Sequence, residues 1–486
     1  EGKAPPARLS GLLDATAAWE MEALPVKENG EVLLVAVSDP AKAVVLDTLR
    51  FLLDREVALA LAAPAALHGA MEKAYGVGGG TGGGAEEIAE EDLGDEAPVV
   101  RLMHRTFREA VEARASDVHI EPFPDRCQVR YRVDGRLSVA AQHPADLHPA
   151  LMSHLKVSAG LDIAEKRKPQ DGRIEHHVGG RDLDIRTSIL PTNHGESCVM
   201  RLLDREANLI SMEDLGMGKK ALKWFQGVIG HPNGIFLVTG PTGSGKTTTL
   251  YSTLKQLATS EVNVCTIEDP IEMVEPSFNQ MQVQSNIEVG FSQGVKAMLR
   301  QDPDIIMIGE IRDLATADMA IQAALTGHLV LSTLHTNDAP SSITRLADLG
   351  VPSYLISATV IGVMAQRLVR TLCPHCKTET RPDEAAWQEL VRPFKMSVPD
   401  TVCQPVGCLE CRGTGYLGRM GVYETMPLHG TLKGMVGRNA DLEAITRQAI
   451  KGGMKPLRIS GAQKVAKGLT TIEEVLRVTP SQDVLL

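Results

Sequence analysis

The residues Gly240-Pro241-Thr242-Gly243-Ser244-Gly245-Lys246-Thr247 fit G-x-x-x-x-G-K-[ST], a pattern whose backbone wraps a phosphate. Glycines let the chain turn its N–H groups inward, and a helix starting there adds its positive dipole end. The pattern directs Lys246 to β- and γ-phosphates and the Thr247 hydroxyl to Mg²⁺, with Thr248 next in line. Carboxylates form a second group. Glu268, Asp269 and Glu272 follow one apolar run, and Glu310 follows another at the position of a Walker-B acid. A Glu there could act as base toward an attacking water or hold Mg²⁺ through a water, whereas capping or a surface ion pair is the bland alternative, strongest for Glu272. His328 and His335 bracket the run Leu329 to Leu334, where each could donate to a γ-phosphate or be structural. Finally, Cys373, Cys376, Cys408 and Cys411 form two C-x-x-C pairs, the spacing of a tetrahedral thiolate cage for structural Zn²⁺. Redox or unligated thiols are the alternative, and Cys403 and His375 do not fit the paired spacing.

Local patterns supply elements to carry these groups. Ile235 to Thr239 reads as a buried strand, and Leu250, Tyr251, Leu254 and Leu257 recur at helical spacing after the loop. Val262 to Ile267, Ile305 to Ile308 and Leu329 to Leu334 read as further strands, which put the acids in the crevice at strand carboxyl ends. Upstream, Val99, Leu102, Met103, Phe107, Ala110 and Val111 predict an amphipathic helix. Alternating runs around Val118 to Ile120, Val129 to Val133 and Leu137 to Val139 predict antiparallel strands, with Asp134-Gly135 as a hairpin turn. Two more runs flank Gly179-Gly180. Many arginines line these strands, two or three of which could face a phosphate.

The first 75 or so residues predict a small α/β module: a strand from Val32 to Val37, a helix opened at Pro40, and a second strand from Val57 to Leu61. The glycine run Gly78 to Gly84 and the acids after it predict a solvated tether. The expected division is 1–76 docking or regulatory module, 77–97 linker, 98–206 α+β middle domain and 207–486 phosphate-loop domain, with the cysteine module inserted at 371–420.

Composition bounds the function. Hydrophobic residues make up 43% of the chain, enough for several cores, and aromatics only 3%. There is no apolar run of about 18 residues, hence no expected membrane span, and no secretory signal. The chain starts at Glu1 rather than Met, as a truncated chain would. A net charge of -11 argues weakly against nucleic acid as the main ligand. Few cysteines, half of them in C-x-x-C pairs, point to metal in a reducing compartment.

Taken together, Gly240 to Thr247, Thr266-Ile267-Glu268-Asp269-Pro270-Ile271-Glu272, Arg300 to Asp313 and Thr326 through Asp338 resemble the secretion and pilus assembly ATPases of the GspE/PulE/PilB type. Ala115 to Pro122 and Pro169 to Arg173 resemble that family's middle domain. The resemblance implies an α/β fold: a RecA-like ATPase domain, an α+β, PAS-like middle domain, the zinc module and the N-terminal module. It implies ATP and Mg²⁺ as ligands and a cytoplasmic homo-hexamer at the inner face of the bacterial inner membrane. That hexamer would work on a membrane platform protein for type II secretion or type IV pilus assembly, with no nucleic acid partner. It also implies that Arg186 and Arg201 close over a γ-phosphate, with a hinge near Ala207 to Met212. Some members bind cyclic di-GMP in the N-terminal module through a longer motif; Arg8 to Leu13 is the remnant of it here. Two rival readings share the core: a nucleic-acid motor, opposed by charge and scarce aromatics, and a nucleotide-gated scaffold, opposed by Glu268, Asp269, Glu272 and Glu310.

Overall fold

The computed structural model describes residues 98–178, 181–204, 210–284 and 287–480; before them it describes 23–29, 32–37, 56–62 and the single residues Leu9, Ala18, Leu67, Ala70 and Met71. The helix opened at Pro40, the tether, the Gly179-Gly180 turn, most of Arg8 to Leu13 and the hinge positions 207–209 lie outside the described residues. The chain divides into two compact units, Glu1–Asp92 and Leu93–Leu486.

In the first unit, β1 (Ala23–Asn29) pairs antiparallel with β2 (Val32–Val37), and β2 pairs parallel with β3 (Glu56–Leu61). Leu24, Leu33, Val35 and Val57 are buried with Leu67 and Met71 in one small cluster.

Among the described residues the second unit holds two large sheets and one two-stranded pair. The first is antiparallel, in the order β6-β5-β4-β9-β8-β7. Its strands are β4 (Ala115–Pro122), β5 (Arg126–Val133), β6 (Arg136–Pro144), β7 (Gln170–Val178), β8 (Arg181–Thr192) and β9 (Gly195–Asp204). Helices α1 (Pro98–Glu112) and α2 (His148–Ser158) cover one face, where Met103, Phe107, Val118, Ile120, Leu151 and Met200 meet. Asp134 (φ 49°) and Gly135 (φ 81°) turn β5 into β6, both in the left-handed region that a two-residue hairpin demands. The other face is polar, as alternation along half-buried strands requires.

The second sheet has the order β12-β11-β13-β14-β10-β15-β18. Six strands run parallel: β10 (Gly234–Thr239), β11 (Val264–Glu268), β12 (Asn279–Gln282), β13 (Ile305–Ile308), β14 (Leu329–Leu334) and β15 (Val360–Leu372). The long β18 (Tyr416–Pro427) returns antiparallel to β15, and between them lies the small pair β16 (Thr378–Thr380) and β17 (Val402–Gln404). Continuous apolar runs suit strands buried on both faces. In β10, Ile235 and Leu237 enter one core while Phe236 and Val238 enter the other, and all four are at most 2% exposed.

Helices alternate with these strands: α3 (Lys219–Ile229), α4 (Lys246–Leu257), α5 (Phe291–Met298), α6 (Leu314–Leu325), α7 (Pro340–Asp348), α8 (Ser353–Thr359) and α9 (Glu384–Val391). Four more close the chain: α10 (Gly430–Gly437), α11 (Leu442–Lys451), α12 (Leu457–Val465) and α13 (Ile472–Val478). Among the described residues no helix is long and apolar enough to cross a membrane.

Candidate nucleotide site and cysteine cluster

Register decides which side chains can meet. Thr239, the last residue of β10, lies level with Leu334 on one side and Ala365 on the other. The loop at Gly240 is therefore level with His335 and with Gln366. Glu268 ends β11, and Gly309-Glu310 follow β13, so all these groups share the carboxyl edge of the sheet. Gly240, Gly243 and Gly245 have φ of +152°, +78° and +85°. A Cβ on Gly240 would fall 2.5 Å from the Gln366 carbonyl, so this turn admits no larger residue. Helix α4 begins at Lys246, and its first intrahelical bond runs from Thr249 N to Gly245 O at 3.1 Å. The N–H groups of the residues before Thr249 thus lack partners from the helix itself. Pro241, Thr242, Thr247 and Thr248 are exposed, whereas Ser244 is buried with its hydroxyl unpartnered among the described residues.

A cavity of about 470 Å³ opens over the loop, bounded by Lys246, Glu268, Glu310, His335 and Arg201. Lys246 Nζ donates to Gly240 O at 2.8 Å and Pro241 O at 3.1 Å. Burial pushes its pKa down to about 8, against the upward pull of Glu310 and with a further push down from Arg367. Glu310 pairs closely with Arg312 and lies 3.4 Å from His335 Nε2. Burial and the charge of Lys246 lower the pKa of His335, keeping its ring neutral near pH 7, although Glu310 opposes them. An unpartnered hydroxyl, a cationic amine, fixed glycine geometry and a carboxylate in one cavity suit a nucleoside triphosphate and Mg²⁺, which Thr247 and Asp269 would hold.

The remaining acids differ in availability. Glu268 is 4% exposed, and three donors already engage it: Tyr251 Oη at 2.6 Å, Thr266 Oγ1 at 2.6 Å and Gln280 Nε2 at 3.2 Å. It anchors the cavity wall. Asp269 lies 3.9 Å from Arg312 Nη1. Glu272 pairs with Arg186 Nη1 at 2.9 Å, while Arg186 Nη2 donates to Ile271 O at 2.9 Å. That contact joins the antiparallel sheet to the parallel one. Arg201 pairs with Asp117 at 3.2 Å and also borders the nucleotide cavity. Cross-strand pairing sets Arg173, Arg186, Arg201, Asp117 and Arg132 in one row across four junctions. Like charges directly opposite are unfavourable unless an anion faces them; Asp117 and Glu272 do so here.

His328 is not brought to this cavity. It precedes β14, and its carbonyl accepts from Gly234 N at 3.1 Å, at the amino edge of the sheet. Six residues of strand separate the two edges by about 20 Å. Its ring lies 2.8 Å from Ala323 O and 3.1 Å from Thr326, a local anchor at the end of α6. The expectation of a catalytic His328 is corrected accordingly. Sequence reasoning missed Arg312, Arg419, Gln366 and Arg367. Arg419 borders the cavity and lies 3.7 Å from Asp134, while Gly418 N donates to Asp134 at 3.0 Å. No spacing rule singles these residues out; only strand register does.

The four expected cysteines converge, their sulfurs all within 4.8 Å of one another. Cys373–Cys408 and Cys376–Cys411 are each 3.8 Å apart, and Cys408–Cys411 3.7 Å. A zinc–sulfur bond of about 2.3 Å implies a tetrahedron edge of about 3.8 Å, so the cluster fits that ion. Gly407 N donates to Cys376 Sγ at 3.3 Å and Gly415 N to Cys411 Sγ at 3.1 Å. Burial raises the Cys411 thiol, but the N–H groups of Cys408 and Gly415 bring it down to about 6. Cys403 stands apart, its sulfur packed against Gly468.

Comparison with known proteins meets this geometry. The family model described as type II/IV secretion system protein matches residues 92–477. The chain belongs to that family, whose members are ATPases. A second model, the MshEN domain, matches residues 1–81. The type IV pilus assembly ATPase TfpB of Acinetobacter baylyi is 54% identical over 383 residues, 79% of this chain and 66% of that protein. Type II secretion system protein E of Pseudomonas aeruginosa is 47% identical over 395 residues, 81% of this chain and 78% of that protein. The structure of the Legionella pneumophila ATPase DotB superposes with a TM-score of 0.57 at 21% identity, over 78% of this chain and 95% of that one, a likeness of fold.

Proposed function

We propose that this chain is the ATP-hydrolysing motor of a pilus or pseudopilus assembly machine, serving type IV pilus biogenesis or type II secretion. The observation that carries the reading is the meeting of the phosphate loop, Glu310, His335 and Arg201 around one cavity whose wall spans two sheets. In the reaction, water attacks the γ-phosphorus, the bond to the β–γ bridging oxygen breaks, and ADP and phosphate leave. Glu310 orients that water and accepts its proton, with neutral His335 beside it. Lys246 and the loop N–H groups hold the β- and γ-phosphates. Bound Mg²⁺ would neutralise charge on the phosphates. Asp269 and Glu272 complete the acid set, Glu268 positions it, and Arg186 and Arg201 draw the antiparallel sheet toward a third phosphate.

Hydrolysis then loosens the two sheets, which is the stroke. A homo-hexamer acting on an inner-membrane platform protein from the cytoplasmic side is the assembly in which such a stroke becomes work. Zn²⁺ would be held by the four cysteines as a structural crosslink. The N-terminal module is the docking part; a cyclic di-GMP site there has only the remnant around Leu9 in its favour. Lys246→Ala tests the core: hydrolysis is lost while the fold survives. Wild-type turnover in that variant would overturn the assignment.

A further inference from the structure

Beneath the phosphate loop lies a buried strut that the catalytic reading leaves unused. Gln366 and Arg367 continue β15 one and two residues past Ala365, where it pairs with Thr239. Arg367 is 5% exposed. Its Nη1 donates to Gln366 O at 2.9 Å and its Nη2 to Asn337 O at 2.7 Å. A Cβ placed on Gly240 would meet Gln366 O at 2.5 Å and Arg367 Nη1 at 3.0 Å, so the pair forms the floor of the loop. The Gln366 side chain reaches the other end of the loop. Its Oε1 accepts from Thr249 Oγ1 at 2.8 Å, and its Nε2 lies 2.8 Å from where a Gly245 Cβ would sit.

The far side of the strut holds the segment that carries His335. Asn337 is two residues beyond His335, and Thr336 N donates to Thr239 Oγ1 at 2.8 Å, binding the same segment to the strand before the loop. Burial lowers the pKa of Arg367, and the charges of Glu424 and Asp338 oppose that; Glu424 is 4% exposed, pairs opposite Ala365 across the β15–β18 ladder, and is itself pushed up to about 7 by burial. Glu424 Oε1 accepts from Ala339 N at 2.7 Å and Oε2 from Leu457 N at 3.3 Å, at the starts of α7 and α12. The guanidinium thus joins the floor of the loop to the His335 segment, while Glu424 behind it holds the two helix starts.

We infer that Arg367, seated by Gln366 and Glu424, is a positioning residue for ATP hydrolysis: it sets the spacing between the phosphate loop and the His335 segment. This rests on the ATPase reading above. Arg is suited to the task because its planar fork donates in two directions at once, to carbonyls on two separate segments; a lysine ammonium is a single point. The strut lies beneath the loop rather than along the lining of the cavity, so its loss disturbs alignment more than ground-state binding. Misplacement of reacting groups by about 1 Å costs on the order of 100-fold in rate.

The test compares the full-length wild type with Arg367→Lys, Arg367→Gln and Gln366→Leu, with Lys246→Ala as reference. Steady-state phosphate release, ADP titration and thermal unfolding are measured on each. Arg367→Lys is expected to unfold within a few degrees of wild type and to bind ADP with unchanged affinity. Its kcat falls on the order of 10- to 100-fold at nearly constant KM. Gln366→Leu shows the same split, smaller. Turnover in Arg367→Lys within twofold of wild type overturns the inference, and so does a parallel loss of unfolding temperature, ADP affinity and kcat, which would make Arg367 a plain core residue. Should Arg367→Gln fail to fold, the lysine variant and Gln366→Leu decide. Absence of ATP hydrolysis in the wild type would instead defeat the ATPase reading itself.

Discussion

Arg186→Ala separates a nucleotide contact from a mere brace between sheets. In the structure this guanidinium holds Ile271 O and Glu272, each at 2.9 Å. The ion pair contributes little, about 0–1 kcal/mol, because the Glu272 side chain is 37% exposed. The bond from a charged donor to the Ile271 carbonyl adds about 1.5–3 kcal/mol. Those terms, at most about 4 kcal/mol together, hold the sheets against each other whether the site contains ADP or ATP. A γ-phosphate contact acts only with the third phosphate, and a positioned arginine there is worth about 10³–10⁵ in rate, or about 4–7 kcal/mol of barrier. The expected result is a kcat lowered at least about 100-fold, with ADP affinity changed less than about threefold. Steady-state phosphate release and paired titrations with fluorescent ADP and a non-hydrolysable ATP analogue read both quantities. Equal weakening of ADP and analogue, with kcat within about tenfold of wild type, would refute the reasoning and leave Arg186 a brace. Arg201→Ala, whose guanidinium pairs with Asp117 instead, should follow the same pattern.

The other predictions concern the acid, the metal and pH. Glu310→Gln should bind ATP and fail to cleave it, by equilibrium titration and single-turnover assay; loss of ATP binding would make Glu310 chiefly a metal-site residue. Elemental analysis of reduced, chelator-free protein should give about one Zn²⁺ per chain, from four ligands. Cys408→Ser should lose that metal and leave ADP binding intact. Burial pushes the Glu474 carboxyl up, yet hydrogen bonds from Arg370 at 2.6 Å and Arg477 at 2.7 Å hold it at about 2, below its ordinary 4.5. A depressed folded pKa gives stability that is present above about 4.5 and lost as pH falls toward 2. The loss amounts to about 3 kcal/mol at most. Glu474→Gln should remove that part of the acid sensitivity in urea denaturation; an identical acid limb in both proteins would contradict it.

Strands of the nucleotide-binding sheet are readable because burial on both faces leaves continuous apolar runs, as in Ile235 to Val238 and Ile305 to Ile308. The cysteine pairs are readable because ligand geometry fixes their spacing. His328 and His335 look equivalent on paper, each flanking the same strand. Direction separates them: a parallel strand has one end at the ligand crevice, and only His335 lies there. Glu268 looks like an open acid in sequence, but Tyr251 from α4 and Gln280 from β12 converge on it through tertiary packing that no local pattern records. Gln366 and Arg367 read as two polar residues in an apolar strand. Their meaning comes from register with Thr239, which a sequence far removed from the loop cannot display.

The β15–β18 hairpin also has a mechanical consequence. Its ladder stays in register from Gly362↔Pro427 to Arg370↔Arg419, shifts register between Arg370 and Leu372, and ends at Leu372↔Tyr416 beside the cysteines. A pull directed along such a stem loads its hydrogen bonds in shear, all together, whereas a pull across it would peel them one after another. The stem is therefore stiff along its length and compliant at right angles. Axial tension at the cysteine end would meet the register shift between Arg370 and Leu372 first, and past it the in-register ladder up to Gln366 and Arg367. The ladder is thus the one stretch of paired backbone that would link a load at the cysteines to the floor of the phosphate loop among the described residues.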